Sequence, residues 1–369
     1  MTPKIAIVHD ALPFYGGAER TLAAMLRAFP GAPVFTPVHN AAALTGTPLA
    51  GADVRTSWLN RLPGIHANHY RWFPLFPLAM RSFDLRGYDV ILSSHYAAAH
   101  AVRTHGGQVH LCYTYTPLRV LWQGRAAFLA GLPGGTRLPA KAGLGLLRRW
   151  DVRAAARVDA FAAISGWIAR QVRAAYGREA RVIYPPVEVE RFTGEREAGD
   201  FFVCVSRLAR HKKVELVVAA FTQLGLPLQI IGDGPERARL ERAAGANVTF
   251  RGWLPDEEVA AALRRARALV HMAAEDFGIG LVEAQAAGCP VIAYAGGGNL
   301  ETVVAGETGL LVAEQTADAL AAAVGECLGR GASFDPAALR ANAARFGGGR
   351  FEEEARGWVE EARKKLAMV

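Results

Sequence analysis

The 369-residue sequence has little cysteine and no long apolar segment, and each absence narrows the class of protein. Its four cysteines are widely scattered, at Cys112, Cys204, Cys289 and Cys327, and show no metal-site spacing, so we expect buried free thiols. No apolar run reaches the roughly 18 residues that a transmembrane helix needs. The sequence therefore predicts neither a cysteine-bound metal nor a membrane-spanning helix.

Length and composition indicate a globular protein with two domains. A chain of 369 residues is long for one hydrophobic core, and 51% of it is hydrophobic against 21% charged. Residues 1–9 lead directly into an apolar strand and lack the profile of a signal peptide. We therefore expect a soluble α/β protein in the cytoplasm.

The formal net charge of +8 predicts an anionic partner. Much of the excess lies in one segment, whose basic residues are Arg137, Lys141, Arg148, Arg149, Arg153 and Arg157. They are interleaved with the apolar residues Leu138, Leu144, Leu146, Leu147, Trp150 and Val152. Such a helix is suited to an anionic membrane surface, although the arginine-bearing polar face of an interior helix would give the same pattern. Because no nucleic-acid-binding module is present, we expect no nucleic-acid partner.

Short apolar runs alternate with helical stretches along the chain. Strands are predicted at residues 4–9, 90–94, 109–114, 160–165, 201–206, 228–232, 248–252, 268–273 and 291–295. Helical periodicity marks residues 19–29, 214–224, 257–267 and 351–367. This alternation predicts parallel, doubly wound sheets. The series occurs twice, on either side of a predicted hinge at Pro185 and Pro186 and a polar stretch at 188–200.

The most informative segment lies between Glu275 and Glu283, where a predicted strand passes into an apolar helical run. Gly278 and Gly280, with Ile279 between them, allow a tight turn with exposed amides, and the start of a helix favours an anion. We expect Glu283 to lie in the first helical turn. One carboxylate could then bind sugar hydroxyls and the other a ribose, with a diphosphate between them. Two solvated acids beside a turn would show the same spacing.

The E-x7-E spacing of Glu275 and Glu283 resembles the signature of the family 4 retaining glycosyltransferases. Further segments resemble motifs of that family in the same order along the chain. They are a glycine-rich loop at 14–20, interdomain stretches at 162–165 and 182–187, a basic diphosphate-binding stretch at 205–212, the turn at 231–235, and the stretches at 287–293 and 296–301. The resemblance covers nearly the whole chain and is most specific in its C-terminal half.

The resemblance implies an α/β protein with the GT-B fold, in which two Rossmann-like domains of doubly wound parallel sheet face each other across a cleft. It implies an N-terminal, acceptor-side domain at residues 1–186 and a C-terminal, nucleotide-sugar-binding domain at residues 187–345. A helix within residues 346–369 is expected to pack back onto the N-terminal domain. Ligands of such folds bind beyond the carboxyl ends of the strands, which is where these motifs fall.

Arg207 and Lys212 lie five residues apart, just beyond the first predicted strand of the second domain. Two cations there can neutralise the charge that develops on a departing β-phosphate. The family pattern selects them as catalytic residues over Arg210, His211 and Lys213, and glycine is more usual at the position of Lys213. Because side chains supply the positive charge, and no Asp-x-Asp motif follows a strand, we expect no metal ion and no other cofactor.

The resemblance also implies roles for the residues around the E-x7-E segment. Glu275 is expected to be the third catalytic residue, binding the hydroxyls of the donor sugar, and Glu283 is expected to bind those of the ribose. The amides near Gly278, Ile279 and Gly280 would complete the diphosphate site. Retention of anomeric configuration is implied, by front-face attack in which the leaving phosphate assists deprotonation.

Two further segments are expected to bind the donor. Gly16 and Gly17, in the N-terminal domain, would let the backbone approach the diphosphate and the acceptor closely. Trp253 and Leu254 follow a predicted strand and would border the base of the nucleotide.

The stretch at 110–119 resembles a bacterial polysaccharide-assembly branch of the family, often mannosyltransferases, with one departure. Tyr115 stands where that branch usually has a histidine that contacts the donor sugar. Tyrosine keeps a hydroxyl but loses a group that titrates near neutral pH. Either the sugar differs or the contact is rebuilt, and His95 and His100 are candidate substitutes.

The leading hypothesis is a retaining, metal-independent hexosyltransferase of surface-polysaccharide assembly. It would use GDP-mannose, or alternatively a UDP-sugar, with a lipid-linked or saccharide acceptor at the inner membrane face. A GT-B-type sugar-nucleotide epimerase is the alternative. A dehydrogenase is disfavoured because Arg237 replaces the third glycine of a G-x-G-x-x-G motif that Gly232 and Gly234 would begin. A non-catalytic nucleotide-binding protein would be expected to lose Lys212 or Glu275, and the chain has both.

Overall fold

The computed structural model describes residues 3–192, 194–197, 199–329 and 334–366. Residues 1 and 2 lie outside the described residues. So do residues 367–369, at the end of the segment 346–369 in which a C-terminal helix is expected. The chain forms two compact units, Met1–Pro185 with Phe351–Val369, and Pro186–Arg350. The expected domains, 1–186 with 346–369 and 187–345, have nearly the same boundaries.

In its described part, the first unit contains a seven-stranded parallel sheet with the strand order β3-β2-β1-β4-β5-β6-β7. The strands are β1 (Ile5–His9), β2 (Val34–Thr36), β3 (Val54–Thr56), β4 (Val90–His95), β5 (Val109–Thr114), β6 (Ala160–Ala163) and β7 (Ala180–Val182). The helices of this unit that precede the second unit are α1 (Gly17–Ala28), α2 (Phe76–Arg81), α3 (Arg125–Ala130), α4 (Gly134–Ala155) and α5 (Gly166–Tyr176).

The described residues of the second unit form a six-stranded parallel sheet with the order β10-β9-β8-β11-β12-β13. Its strands are β8 (Phe202–Val205), β9 (Leu228–Ile231), β10 (Val248–Gly252), β11 (Leu269–His271), β12 (Val291–Tyr294) and β13 (Gly309–Val312). Its helices are α6 (Val214–Leu224), α7 (Arg237–Ala243), α8 (Asp256–Arg265), α9 (Ile279–Ala286), α10 (Asn299–Thr302), α11 (Ala317–Gly329) and α12 (Pro336–Ala344).

The central strands of each sheet are buried on both faces, as expected when helices cover a parallel sheet on both sides. In the first unit, β1 and β4 pack with α2 into one core, which includes Val8, Ile91 and Phe76. In the second unit, Phe202 of β8 packs edge-to-face on Phe221 of α6, with ring centroids 5.1 Å apart. Two separate cores therefore correspond to the two units.

The last helix, α13 (Gly348–Leu366), returns to the first unit. Phe351 is buried and packs edge-to-face on Tyr113 of β5, with ring centroids 5.6 Å apart. Glu352 accepts a hydrogen bond from Arg27 of α1 at 2.7 Å, and Glu361 accepts one from Arg181 at 2.9 Å. This placement agrees with the packing expected from the sequence.

The nine predicted strands are all present, and the structure adds four that the sequence pattern missed: β2, β3, β7 and β13. All four lie at or next to a sheet edge and are only three or four residues long. Such runs are too short to show a period of their own. The four cysteines are buried and free. Within the described residues, no helix is both long enough and apolar enough to cross a bilayer.

Candidate functional site

The second unit brings Lys212 and Glu275 together at the carboxyl edge of its sheet. Lys212 ends a short 3-10 turn after β8, Glu275 follows β11, and these two strands are neighbours in the sheet. The Lys212 Nζ atom donates to both carboxylate oxygens of Glu275, at 2.7 Å each. Parallel strands carry their following loops to the same edge, which explains how residues 63 positions apart meet.

His271, the last residue of β11, completes this cluster from below. Its Nε2 atom lies 2.7 Å from Glu275 Oε1 and, because an ionised carboxylate only accepts, this nitrogen carries the hydrogen. Burial raises the pKa of Glu275, but the hydrogen bond from His271 and the positive charge of Lys212 outweigh burial, and the pKa lies well below its usual range. The Glu275 side chain is 17% exposed, so it is an ionised acceptor that ligands can reach.

Arg207 lies on the same loop as Lys212 and is exposed. Its guanidinium makes no ion pair with another of the described residues. The loop rests on the turn after β9, where a Cβ atom on Gly232 would stand 2.0 Å from the carbonyl oxygen of Ser206 and one on Gly234 2.4 Å from that of Leu208. These two glycines therefore serve close packing beneath the Arg207 loop, which explains the partial G-x-G motif without a dinucleotide.

Geometry distinguishes the two adjacent lysines of this loop. Lys213 has φ 55°, the left-handed conformation that favours glycine, and among the described residues it is the one non-glycine with positive φ. Its Nζ atom lies 4.0 Å from Glu215, away from the Glu275 carboxylate. The glycine expected at this position is thus replaced by a strained lysine, and Lys212 is the residue paired with Glu275.

Helix α9 begins beside Glu275. Gly278 is its N-cap residue with φ 95°, and the N–H groups of Ile279 and Gly280 precede the first intrahelical hydrogen bond. These amides lie where a helix start favours an anion. Because the helix begins at Ile279, Glu283 is its fifth residue, and the expectation that it lies in the first turn was wrong.

A second glycine-rich loop, Gly297 to Asn299, holds the Glu275 backbone. The N–H of Gly298 donates to the carbonyl of Glu275 at 2.7 Å, and a Cβ atom on Gly297 would stand only 2.2 Å from that oxygen. The buried Asn299 side chain donates to the carbonyl of Ala273 at 2.8 Å. This loop fixes the position of Glu275, a role that the sequence did not reveal.

Trp253 and Leu254 follow β10 at the same edge of the sheet. The Trp253 side chain belongs to the large apolar residues that remain in solvent, with 74% of the residue exposed, and Leu254 is half-buried. An exposed indole ring is available for stacking on a ligand.

In the first unit, the glycine-rich loop leads into α1, with Gly16 as the N-cap and Gly17 as the first helical residue. The Gly16 N–H is not free, because it donates to the Glu19 carboxylate at 2.9 Å. A ligand approaching this amide therefore meets the Glu19 side chain.

Tyr115 and the two candidate substitute histidines occupy different environments. The Tyr115 hydroxyl lies 2.9 Å from Ser94 Oγ and donates to the carbonyl of Ala18 at 3.1 Å. His95 and His100 are fully buried, 3.2 Å apart, and His100 also lies 3.2 Å from the buried Asp151 carboxylate. Neither histidine can reach a donor sugar, so their proposed role as substitutes was wrong.

The basic segment forms α4, but its faces differ from the expected ones. Leu144 is buried and Trp150 packs against the first core, so these two residues face inward. Leu138 and Leu146 are 79% and 66% exposed, and they share the solvent-facing side with Arg149, Arg153 and the exposed Val152. Arg148 stacks on the Trp122 ring, with 4.0 Å between the guanidinium carbon and the ring centroid.

Sequence reasoning missed His271 and Gly297. His271 was detectable in principle, because it stands four residues before Glu275 at the end of a predicted strand. The contact of Gly297 with the Glu275 carbonyl joins two loops from neighbouring strands, so only the sheet order reveals it.

Solved structures share this architecture and define its class. The Anabaena protein HepE, solved in complex with UDP and glucose, superposes with a TM-score of 0.71 at 18% identity, covering 97% of this chain and 100% of that one. Sucrose-phosphate synthase of Thermosynechococcus elongatus gives a TM-score of 0.67 at 22% identity, covering 100% and 98%. The fold is therefore GT-B, with two Rossmann-like domains.

Family profiles cover both units. Residues 15–191 match "Glycosyltransferase Family 4", and residues 188–344 match "Glycosyl transferases group 1". The chain belongs to the family 4 glycosyltransferases with the GT-B fold.

Curated relatives agree with this family. The GDP-mannose-dependent alpha-(1-6)-phosphatidylinositol monomannoside mannosyltransferase of Mycobacterium tuberculosis is 30% identical over 260 residues, which are 57% of this chain and 67% of the relative. The enzyme of the same name from Mycolicibacterium smegmatis is 30% identical over 202 residues, 46% of this chain and 53% of the relative. The chain thus spans between half and two thirds of the length of these two relatives.

Proposed function

We propose that the protein transfers a hexose from a nucleotide-diphosphate sugar to a lipid-linked or saccharide acceptor. The observation that carries this proposal is the Lys212–Glu275–His271 cluster, which stands beside the start of α9 at the carboxyl edge of the second sheet. It combines a cation, an ionised acceptor and helix-terminal amides, which are the groups that a diphosphate and a sugar need.

Departure of the nucleotide is the step that these charges assist. As the bond between the anomeric carbon and the β-phosphate oxygen breaks, negative charge develops on that oxygen. Lys212 and the exposed Arg207 would stabilise this charge, together with the amides of Ile279 and Gly280. The acceptor hydroxyl would attack on the face that the leaving group vacates, and its proton would pass to the departing phosphate, so the configuration is retained. This scheme needs no metal ion.

Glu275 and Glu283 would orient the donor. An ionised Glu275, held by Lys212 and His271, accepts hydrogen bonds from sugar hydroxyls without having to lose a proton first. Glu283, one turn into α9, would accept from the ribose. The exposed ring of Trp253, with Leu254 beside it, would border the base.

GDP-mannose is the favoured donor, and a UDP-sugar is the alternative. The first is supported by the name of the Mycobacterium tuberculosis relative, and the second by the UDP and glucose in the HepE complex. The membrane lipid acceptor in the relative's name supports a lipid-linked acceptor here, in the assembly of a cell-surface polysaccharide.

A transfer assay tests the proposal. The protein is incubated with GDP-mannose, GDP-glucose, UDP-glucose and UDP-galactose, each with a short mannoside or a lipid-linked sugar as acceptor, with and without excess chelator. We expect one nucleoside diphosphate per sugar transferred, an axial donor linkage kept axial, and unchanged rates under chelation. An isomerised sugar formed without acceptor would instead indicate an epimerase, and activity that chelation abolishes and Mn²⁺ restores would contradict metal independence.

We further propose that α4 lies on the anionic, cytoplasm-facing surface of the membrane that holds the acceptor. Its outer face offers Leu138 and Leu146 for the lipid boundary and Arg149 and Arg153 for the headgroups. Each basic residue near such a surface contributes about 1 kcal/mol.

Vesicle sedimentation tests this placement. Arg149→Glu with Arg153→Glu should release the protein from phosphatidylserine-containing vesicles, whereas the control pair Arg242→Glu with Arg265→Glu, exposed arginines of the second unit, should not. Arg148 is left intact because it stacks on Trp122. Equal loss in both pairs, or equal binding to neutral vesicles, would contradict the placement.

A further inference from the structure

A network of polar contacts connects the glycine-rich loop of the first unit to the sheet. The Gly16 N–H donates to Glu19 Oε2 at 2.9 Å, and Glu19 Oε1 faces His9 Nε2 at 3.6 Å. His9 Nδ1 lies 2.9 Å from Ser94 Oγ, which lies 2.9 Å from the Tyr115 hydroxyl. Tyr115 in turn reaches the Ala18 carbonyl, so the contacts begin and end at the start of α1.

The number of hydrogens that each group can donate fixes the direction of the hydrogen bonds in this network. The Ala18 carbonyl can only accept, so the single hydrogen of the Tyr115 hydroxyl is used there. Ser94 must therefore donate to Tyr115, and His9 Nδ1 must carry the hydrogen that Ser94 accepts. Among the described residues His9 Nε2 makes no hydrogen bond, and it lies 3.6 Å from Glu19 Oε1. The hydrogen bonds from His9 to Ser94, from Ser94 to Tyr115 and from Tyr115 to Ala18 depend on one another in this order, so removing either hydroxyl interrupts them.

The sheet places these groups side by side. His9 and Ser94 are register partners in the neighbouring strands β1 and β4, and Tyr115 immediately follows β5. His9, Ser94 and Glu19 are buried, and buried polar groups lose much when a partner is deleted. The network therefore connects three central strands rigidly to the loop.

We propose that Tyr115 is a positioning residue that holds the Gly16–Gly17 loop through Ser94, His9 and Glu19, in place of contacting the donor sugar. The hydroxyl is fully used inside the protein, as donor to Ala18 and acceptor from Ser94. The effect on turnover rests on the proposed function and on the expectation that this loop approaches the diphosphate of the donor. The effect on the loop itself does not.

Amide hydrogen exchange of residues 14–19 tests the proposal without any substrate. Tyr115→Phe and Ser94→Ala should each speed amide exchange in this loop about tenfold. The double variant should speed exchange no more than either single variant does, because the effects of substitutions within one hydrogen-bond network do not add. Tyr113→Phe is the matched control. It also deletes a buried hydroxyl, but this hydroxyl donates to the Ile183 carbonyl, which is not part of the network. It should leave exchange in the loop unchanged.

Kinetics separate positioning from sugar recognition. A loosened loop should lower kcat for every sugar nucleotide by the same factor, whereas loss of a sugar contact should raise KM for one sugar only. Unchanged loop exchange in Tyr115→Phe, or additive effects with Ser94→Ala, would overturn the positioning role. If the wild-type protein transfers no sugar, the proposed function fails, while the exchange result still decides the role of Tyr115.

Discussion

The two units bury different kinds of polar group. Around the central strands of the first, several buried polar side chains can change charge, namely His9, Asp10, His95, His110 and Asp151, beside neutral ones such as Ser93 and Thr114. In the described part of the second unit they are mostly neutral, such as Gln285, Asn299, Thr302 and Asn342, with His271 as the exception. The Lys212–Glu275 pair of the second unit remains partly open to solvent.

This difference assigns separate physical tasks to the units. Neutral amides in the second unit satisfy backbone carbonyls, as where Asn342 Nδ2 donates to the Thr302 carbonyl at 2.9 Å, and they keep the charged site at the edge rigid. In the first unit, the fully buried Asp10 carboxylate accepts from four successive backbone N–H groups, of residues 96–99. We therefore expect the stability of the first unit to depend on pH, whereas the second unit holds its Lys212–Glu275 pair where a ligand can meet it.

The largest effect is expected at Lys212. Lys212→Ala should lower kcat about 10²- to 10³-fold, because this variant loses the cation that we propose stabilises the leaving phosphate. The matched control is Lys213→Gly, which removes the neighbouring charge and relieves its left-handed backbone. That variant should keep kcat within about twofold and gain about 1 kcal/mol in unfolding free energy. A larger loss of kcat in Lys213→Gly than in Lys212→Ala would reverse the assignment of the two lysines.

A smaller effect is expected from the loop that supports Glu275. Gly297→Ala places a methyl group against the Glu275 carbonyl at positive φ and should cost about 3 kcal/mol of unfolding free energy, with kcat reduced about tenfold or more. Gly306→Ala is the control, since Gly306 also has positive φ but open space around its Cβ position. Equal losses in urea unfolding and in kcat for the two variants would show that backbone conformation alone matters.

The smallest of these effects is the acid sensitivity of the first unit. Burial lowers the pKa of His110 to about 3, so below its ordinary value of 6.5 the unfolded chain takes up a proton that the folded chain refuses. Stability is thus complete above pH 6.5 and falls by about 1.4 kcal/mol per unit as pH drops toward 3. Glu275, whose pKa is lowered, loses its contribution only below its ordinary value of 4.5.

Native-state hydrogen exchange at pH 7 and pH 5 measures this difference. The opening free energy of β5 should fall by at least about 2 kcal/mol, and that of β8 by less than half as much. His110→Gln should reduce the pH dependence of β5, and the part that remains should come from His95 of β4, whose pKa burial also lowers. An equal fall in both sheets would break the contrast between the units.

The sequence predicted the central strands well because each is a short segment rich in apolar residues, although serines in β4 and His110 in β5 interrupt the apolar run. It missed β2, β3, β7 and β13, whose short pairing depends on a neighbour for its stability. It also named Lys212 and Glu275 for one site by resemblance. Their 2.7 Å contact follows from the adjacency of β8 and β11, which are separated along the chain by two other strands.

Side-chain direction was harder to predict than the elements themselves. The interleaved arginines and leucines of α4 fitted both a membrane face and an interior helix, and they did not show that Leu144 and Trp150 would face the core. For Tyr115, the sequence indicated a hydroxyl near a site but not its partner, because the Ala18 carbonyl is a backbone group of another element. Every residue has a backbone carbonyl, so the identity of residue 18 does not indicate that its carbonyl accepts a hydrogen bond from Tyr115.

We propose that the loop after β8 holds the diphosphate of the donor, and calorimetric titration with GDP and UDP is the most direct test of this role. Arg207→Ala should weaken binding of the preferred nucleotide at least tenfold, because a charged contact to phosphate is worth about 1.5 kcal/mol or more. Arg210 lies on the same loop as Arg207, but it is paired with Glu236, which follows β9. Arg210→Ala should therefore change affinity less than twofold. Equal weakening by both variants, or no binding of either nucleotide to the wild-type protein, would contradict the account.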